Sequence, residues 1–186
     1  SGTGAIAAWE NACRLSDDGR FGTNNMRIYV AQNAPFSLMY DAWKSGSRDL
    51  PPISEEEGRS KSEAILATVL SNRKPPYSIT GGLFDVLTES KGDCFLASNH
   101  DIVYWMMQFR NREGYDILPA SCAAVAALAQ AIREGKVRKD ELIMLNCTGG
   151  GTCGAQAKGC IYKEPDLVLS PELASEDIIK AVRRLF

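Results

Sequence analysis

Along this chain of 186 residues, apolar positions switch repeatedly between the 3.6-residue spacing of a helix and the short compact runs of a strand. Helical spacing is read at residues 5–15, 36–44, 54–70, 101–112 and 120–134, in a short stretch reaching Leu87 after Gly81-Gly82, and from Ser175 to the end. Strand-like runs lie at 27–31, 94–97 and 141–147. Local signals mark the ends: Asp17-Asp18-Gly19-Arg20 stops the first helix, and Ser54 with Glu57 has the spacing of a capping box. Parallel strands need crossover connections, which helices supply. The expected fold is therefore α/β, three-layered, with a mainly parallel sheet and helices on both faces. Such sheets bind ligands at the carboxyl ends of their strands, so glycine-rich corners next to strands and helix starts become the places to look.

A 45% hydrophobic, 24% charged composition suits one sizeable core and a single domain over 1–186. A net charge of −2 provides no long-range pull on a phosphodiester backbone, which argues against nucleic acid as a partner. No apolar run reaches the ~20 residues of a membrane span, and the start lacks the pattern of a secretory leader; the expected location is the cytoplasm. The six cysteines are too dilute for a disulfide scaffold and include no Cys-x-x-Cys pair, so no metal is expected and buried free thiols are the plain reading. A Cys-His nucleophile would have only His100 as its base.

Two corners carry chemistry. Ser1-Gly2-Thr3-Gly4 runs directly into Ala5-Ile6-Ala7-Ala8-Trp9, which places exposed backbone amides at the positive end of a helix and makes a cradle for phosphate. A glycine-serine start is also what a cleaved tag leaves behind. The second corner, Asn146-Cys147-Thr148-Gly149-Gly150-Gly151, ends a strand-like run in a hydroxyl and three glycines; the hydroxyl can meet a heteroaromatic nitrogen without adding charge, while the glycines leave room for a flat ring. A ligand-free flexible loop has the same composition. Asn72-Arg73-Lys74-Pro75-Pro76-Tyr77 holds cations between prolines, suited to an anionic substrate group or simply to solvent. The small-residue run 117–128, the three tryptophans and Met106-Met107 read as packing. A Rossmann reading would rest on the first four residues alone, with no persuasive acidic ribose contact downstream.

In order, these segments resemble the C-terminal half of threonine synthase-like enzymes of the tryptophan synthase beta type, over nearly the first 150 residues. That family uses a Gly-Ser-Gly-Thr-Gly type loop for the phosphate of pyridoxal phosphate, a later Pro-Ala helix and a Leu-x-x-Thr-Gly strand end at the pyridine nitrogen. Ser1 to Gly4, Pro119-Ala120 and Leu145 to Gly149 match these parts. Five segments are similar to the cysteate synthase branch: residues 4–10, 18–22, 32–36, 70–77 and 146–151.

The resemblance implies cofactor binding by Ser1, Gly2, Thr3, Gly4, Thr148 and Gly149, with Thr148 at the ring nitrogen. It also implies pyridoxal 5'-phosphate as the cofactor and a β-replacement that turns O-phospho-L-serine and sulfite into L-cysteate and phosphate for coenzyme M synthesis. Asn72 and Arg73 are the candidate substrate-binding residues. A homodimer is expected. The family's Schiff-base lysine lies upstream of the phosphate loop, and no lysine here sits in a Phe-Lys-Asp setting, so no catalytic residue is assigned. The chain is expected to be the C-terminal part of a longer two-domain enzyme whose lysine-bearing part is missing, and to be inactive alone. The alternatives are a threonine synthase acting on O-phosphohomoserine and a non-catalytic anion-binding module. Residues 152–186 match no motif.

Overall fold

The computed structural model describes residues 1–24, 26–151, 165–170 and 172–185. The chain divides into two compact units, Ser1–Gly154 and Ala155–Phe186. In the first unit the order is α1 (Thr3–Asp18), β1 (Tyr29–Asn33), α2 (Leu38–Lys44), α3 (Glu55–Ala64), a 3-10 turn (Thr68–Leu70), α4 (Leu83–Glu89), β2 (Asp93–Ala97), α5 (Asn99–Glu113) and α6 (Pro119–Arg133). The second unit contains α7 (Ser175–Arg183). On α7, Ile178, Ile179 and Val182 follow the amphipathic spacing expected of them.

Helix ends follow local chemistry. Gly19 in the left-handed region closes α1, its amide donating to the Ser16 carbonyl. Ser54 caps α3 by accepting from the Glu57 amide. Ser98 and Asp101 form a complete reciprocal capping box at the start of α5. Pro119 opens α6 at a position where its missing N–H costs nothing.

The protein is α/β with a small parallel sheet. Strands β1 and β2 pair in parallel, from Tyr29 opposite Asp93 to Asn33 opposite Ala97, with α2, α3 and α4 in the crossover between them. Val30 and Cys94 enter a cluster with Trp9, Met39, Tyr77, Leu83 and Leu87, drawn from α1, α2, α4 and the loop before α4. Tyr29 and Ala31 pack instead with Phe95, Ala127 and Ala131 of α6. A further cluster joins Ile102, Ile117, Cys122, Ala123 and Ala126 between α5 and α6, with Trp105, Met106 and Cys147 against it.

Two expectations fail. The helix expected to run to residue 70 stops at Ala64, because two asparagines capture the backbone beyond it. Asn33 Oδ1 accepts from the Ala67 amide at 2.9 Å, and Asn99 Oδ1 accepts from the Leu66 amide at 3.0 Å. Asn99 Nδ2 also donates to the Ala64 carbonyl at 2.8 Å. Asn33 is itself fully buried, and its Nδ2 donates to the carbonyls of Ala34 and Ala97 and to Asn99 Oδ1. Residues 141–147, expected as a strand, form no ladder among the described residues. A strand needs a neighbour, and here only Gly150, beyond the run, makes a bridge, to Ile117.

Candidate functional site

Helix α1 begins without a side-chain cap. Its N-cap, Gly2, has φ +82°, which glycine adopts without the Cβ penalty of other residues. An added Cβ there would come within 2.8 Å of Leu83 Cδ2, so the first residue of α4 walls the loop. The Ile6 amide makes the first intrahelical bond, to the Gly2 carbonyl at 3.0 Å. By helix geometry the amides of Thr3, Gly4 and Ala5 have no acceptor within α1. The hydroxyls of Ser1 and Thr3 lie 3.1 Å apart and exposed, no acidic side chain occupies the first turn, and the space around Gly4 is open. Three amides without an intrahelical acceptor, a positive helix end and two hydroxyls have the chemistry that suits a phosphate group.

Helix α4 shows the contrast. Its first amides are taken: Leu83 donates to the Pro76 carbonyl at 2.9 Å and Phe84 to the Tyr77 carbonyl at 3.1 Å. The proline loop therefore fills the start of α4, and through Leu83 it is joined to the glycine loop.

The Thr-Gly corner is pinned onto the start of α6. The Leu118 amide donates to the Gly149 carbonyl at 3.0 Å, and the Gly151 amide to the Asp116 carbonyl at 2.8 Å. The Ser121 hydroxyl accepts from the Gly149 amide at 3.2 Å and donates to its carbonyl at 3.3 Å. Close approach requires both glycines, since a Cβ at Gly149 would sit 2.6 Å from Leu118 Cδ1 and one at Gly151 would overlap the Asp116 carboxylate. Thr148 is exposed beside this latch. Ser121 gave no signal in the sequence, where it lay within a run read as packing, because its role depends on a fold contact across 28 residues.

The corners rest on different parts of the core, the glycine loop on the cluster around Leu83 and the Thr-Gly corner on the cluster around Cys122. Asn72 and Arg73 lie at neither corner. Asn72 Oδ1 accepts from the Lys74 amide at 2.9 Å, an Asx turn that sets the loop. Arg73 crosses α3 at Gly58.

The buried thiols and the lysines paired with Asp93 are poorly suited to catalysis. Burial pushes Cys94 up to about 12 and Cys122 up to about 11 and raises Cys147, so these thiols stay protonated. Cys153 and Cys160 lie outside the described residues. Lys136 is held by Asp93 at 2.5 Å and Glu134 at 2.6 Å, and these bonds raise its pKa, the opposite of what an imine-forming amine needs. Lys44 is paired with Asp93 at 2.7 Å. Among the described residues, no cluster suited to a metal ion is found, and no helix is long and apolar enough to cross a membrane.

Comparison with known proteins then bears on these corners. Residues 1–149 match the family described as pyridoxal-phosphate dependent enzymes. The chain belongs to this family. It is 42% identical to the cysteate synthase of Methanocella paludicola, over 98% of this chain and 43% of that protein. It is 41% identical to the cysteate synthase of Methanosarcina mazei, over 97% of the chain and 44% of that protein. The cysteate synthase of Methanosarcina acetivorans is 41% identical over 96% of the chain and 44% of its own length. The chain thus spans less than half the length of these curated relatives. The family's cofactor, pyridoxal phosphate, is the one the resemblance implied. The residues present fit it: the open start of α1 suits its phosphate, and the uncharged hydroxyl of Thr148 beside close-packed glycines suits a ring nitrogen.

Proposed function

We propose that this chain is the phosphate-cradling and ring-contacting part of a synthase that replaces the phosphate of O-phospho-L-serine with sulfite to give L-cysteate. The observation that carries the reading is the uncapped, unobstructed start of α1, facing open space at Gly4 and walled by Leu83. In this reading the amides of Thr3, Gly4 and Ala5, with the hydroxyls of Ser1 and Thr3, hold the cofactor phosphate. Gly149, latched by Ser121, holds Thr148 at the ring nitrogen. A neutral hydroxyl there neither donates a full positive charge nor demands one, which limits ring protonation and favours replacement at the β carbon. Bound pyridoxal phosphate supplies the electron sink that makes an α proton removable. The lysine that carries the cofactor comes from the remainder of the protein. The pair β1–β2 is part of a larger three-layer parallel sheet of the type II pyridoxal-phosphate fold. The same reading makes the enzyme a cytoplasmic homodimer that feeds coenzyme M synthesis. Support comes from the names of the relatives and from the family match.

The test is to load the full-length protein carrying this chain with pyridoxal phosphate, then follow phosphate and amino-acid products by mass spectrometry with O-phosphoserine plus sulfite. O-phosphohomoserine is the comparison substrate. Cysteate from phosphoserine is expected. Threonine from phosphohomoserine would make the protein a threonine synthase, and no product from either would return it to an anion-binding module.

A further inference from the structure

Gly58 is the fourth residue of α3, buried, and helical in backbone, with no positive φ to require glycine. Its amide donates to the Ser54 carbonyl at 2.9 Å, and its own carbonyl accepts from the Ser62 hydroxyl at 2.7 Å, so the helix is intact around it. Glycine is the poorest ordinary helix former, and here nothing in the backbone calls for it. What calls for it is Arg73. A Cβ at position 58 would stand 2.8 Å from Arg73 Cδ and 3.7 Å from both Cγ and Nη1. The side chain of Arg73 therefore crosses α3 through the gap that the glycine leaves.

The guanidinium at the end of that path is undercommitted. Among the described residues it makes no hydrogen bond, and its ion-pair partner, Glu55, stands at 4.0 Å and is 80% exposed. Pairs of that kind contribute little in water. The backbone carrying Arg73 is, by contrast, tied at both sides. Upstream, Asn33 and Asn99 fasten residues 64–67 to the carboxyl ends of β1 and β2, where parallel sheets receive ligands. Downstream, the Asx turn at Asn72 and the bond from Leu83 to Pro76 tie the loop to the start of α4, whose Leu83 walls the glycine loop. A fixed stem, a cleared path and a fork held only by one long, exposed ion pair are suited to recognition of a phosphate.

We infer that Gly58 is a positioning residue that steers the Arg73 guanidinium to the phosphate group of the substrate. The inference rests on the phosphoamino-acid reading above and adds to it the group recognised and the residue that sets its geometry. Arg73 binds the phosphate; Gly58 acts only through Arg73.

The experiment uses the full-length, cofactor-loaded protein with Gly58→Ala, Arg73→Ala and the double variant, measuring KM and kcat for O-phosphoserine, competitive inhibition by inorganic phosphate, and Tm. Turnover of O-phosphoserine by the unaltered protein comes first, since its absence defeats the phosphoserine reading and not this assignment alone. Given turnover, Arg73→Ala should raise KM and the phosphate inhibition constant about tenfold or more, the loss of one charge-assisted contact. Gly58→Ala should raise both in the same direction with kcat within about twofold. Because alanine is the better helix former, Tm should stay level or rise, which a merely structural glycine would not allow. The double variant should match Arg73→Ala alone. A KM unchanged in Gly58→Ala, a fall in Tm with kcat and KM altered together, or additive effects in the double variant would each overturn the assignment.

Discussion

Asp93 shows how one side chain can hold three segments together. Sitting at the start of β2, it accepts from Trp43 Nε1 at 2.8 Å, Lys44 Nζ at 2.7 Å and Lys136 Nζ at 2.5 Å, and so joins the strand to α2 and to the turn after α6. Burial alone would raise its pKa. The bonds from Lys136, Lys44, Trp43 and the Cys94 amide outweigh burial and bring it down to about 2 from 3.8. A depressed carboxyl adds stability above its unfolded pKa and loses it as pH falls through the folded one. Asp93 should thus contribute about 2 kcal/mol at neutral pH, fading between about pH 4 and pH 2. In urea unfolding of the full-length protein, Asp93→Asn should lose roughly that amount at pH 7 and flatten the acid limb over the same interval. An unchanged acid limb would mean that other carboxylates set it. Gly92, the residue before, is constrained differently: a Cβ there would overlap the Ile28 carbonyl, so the strand pair begins where only glycine fits.

At the scale of elements, α1 and α4 have the same kind of start put to different uses, one open and one filled by the Pro76 and Tyr77 carbonyls. An anion cradle and a stable helix end make opposite demands, because a carboxylate at the first turn favours the helix and repels a phosphate. Gly4→Asp should therefore stabilise the cofactor-free protein by about 0.5 kcal/mol while weakening pyridoxal phosphate binding about tenfold or more, read by melting and by absorbance titration. Retained affinity would remove the start of α1 from the cofactor site. This open start was legible in the sequence because it depends on neighbouring residues only: two glycines, two hydroxyls and a helical run. Helices α5 and α6 were legible for the same reason, since the helical spacing at 101–112 and 120–134 is a local signal. The break after Ala64 was not, since Asn33 and Asn99, about thirty residues away in either direction, impose it. Nor were the Ser121 latch and the passage of Arg73 over Gly58, which exist only once separate segments approach.

For the molecule as a whole, the run at 141–147 poses a question of partnership. Its residues have the apolar content of a buried strand, yet Leu142 is 102% and Met144 91% exposed, and none of them joins β1 or β2. Two parallel strands alone make a marginal sheet, and an apolar run without a ladder is an invitation to pair. The far end of the run is nonetheless fixed, with Gly149 and Gly151 bonded to the start of α6, so it is held in place and lacks only a neighbour. If the larger sheet proposed here is right, a strand from the remaining length of the protein lies beside it, and that strand also sets how firmly Thr148 is presented. Hydrogen exchange of the full-length protein should then show the amides of 142–146 protected to the level of β1, with protection falling sharply at the exposed tip of the preceding turn. Exchange of 142–146 at the rate of a solvated loop would leave the sheet at two strands, and Thr148 would be held only through the bonds that Ser121, Leu118 and Asp116 make to Gly149 and Gly151.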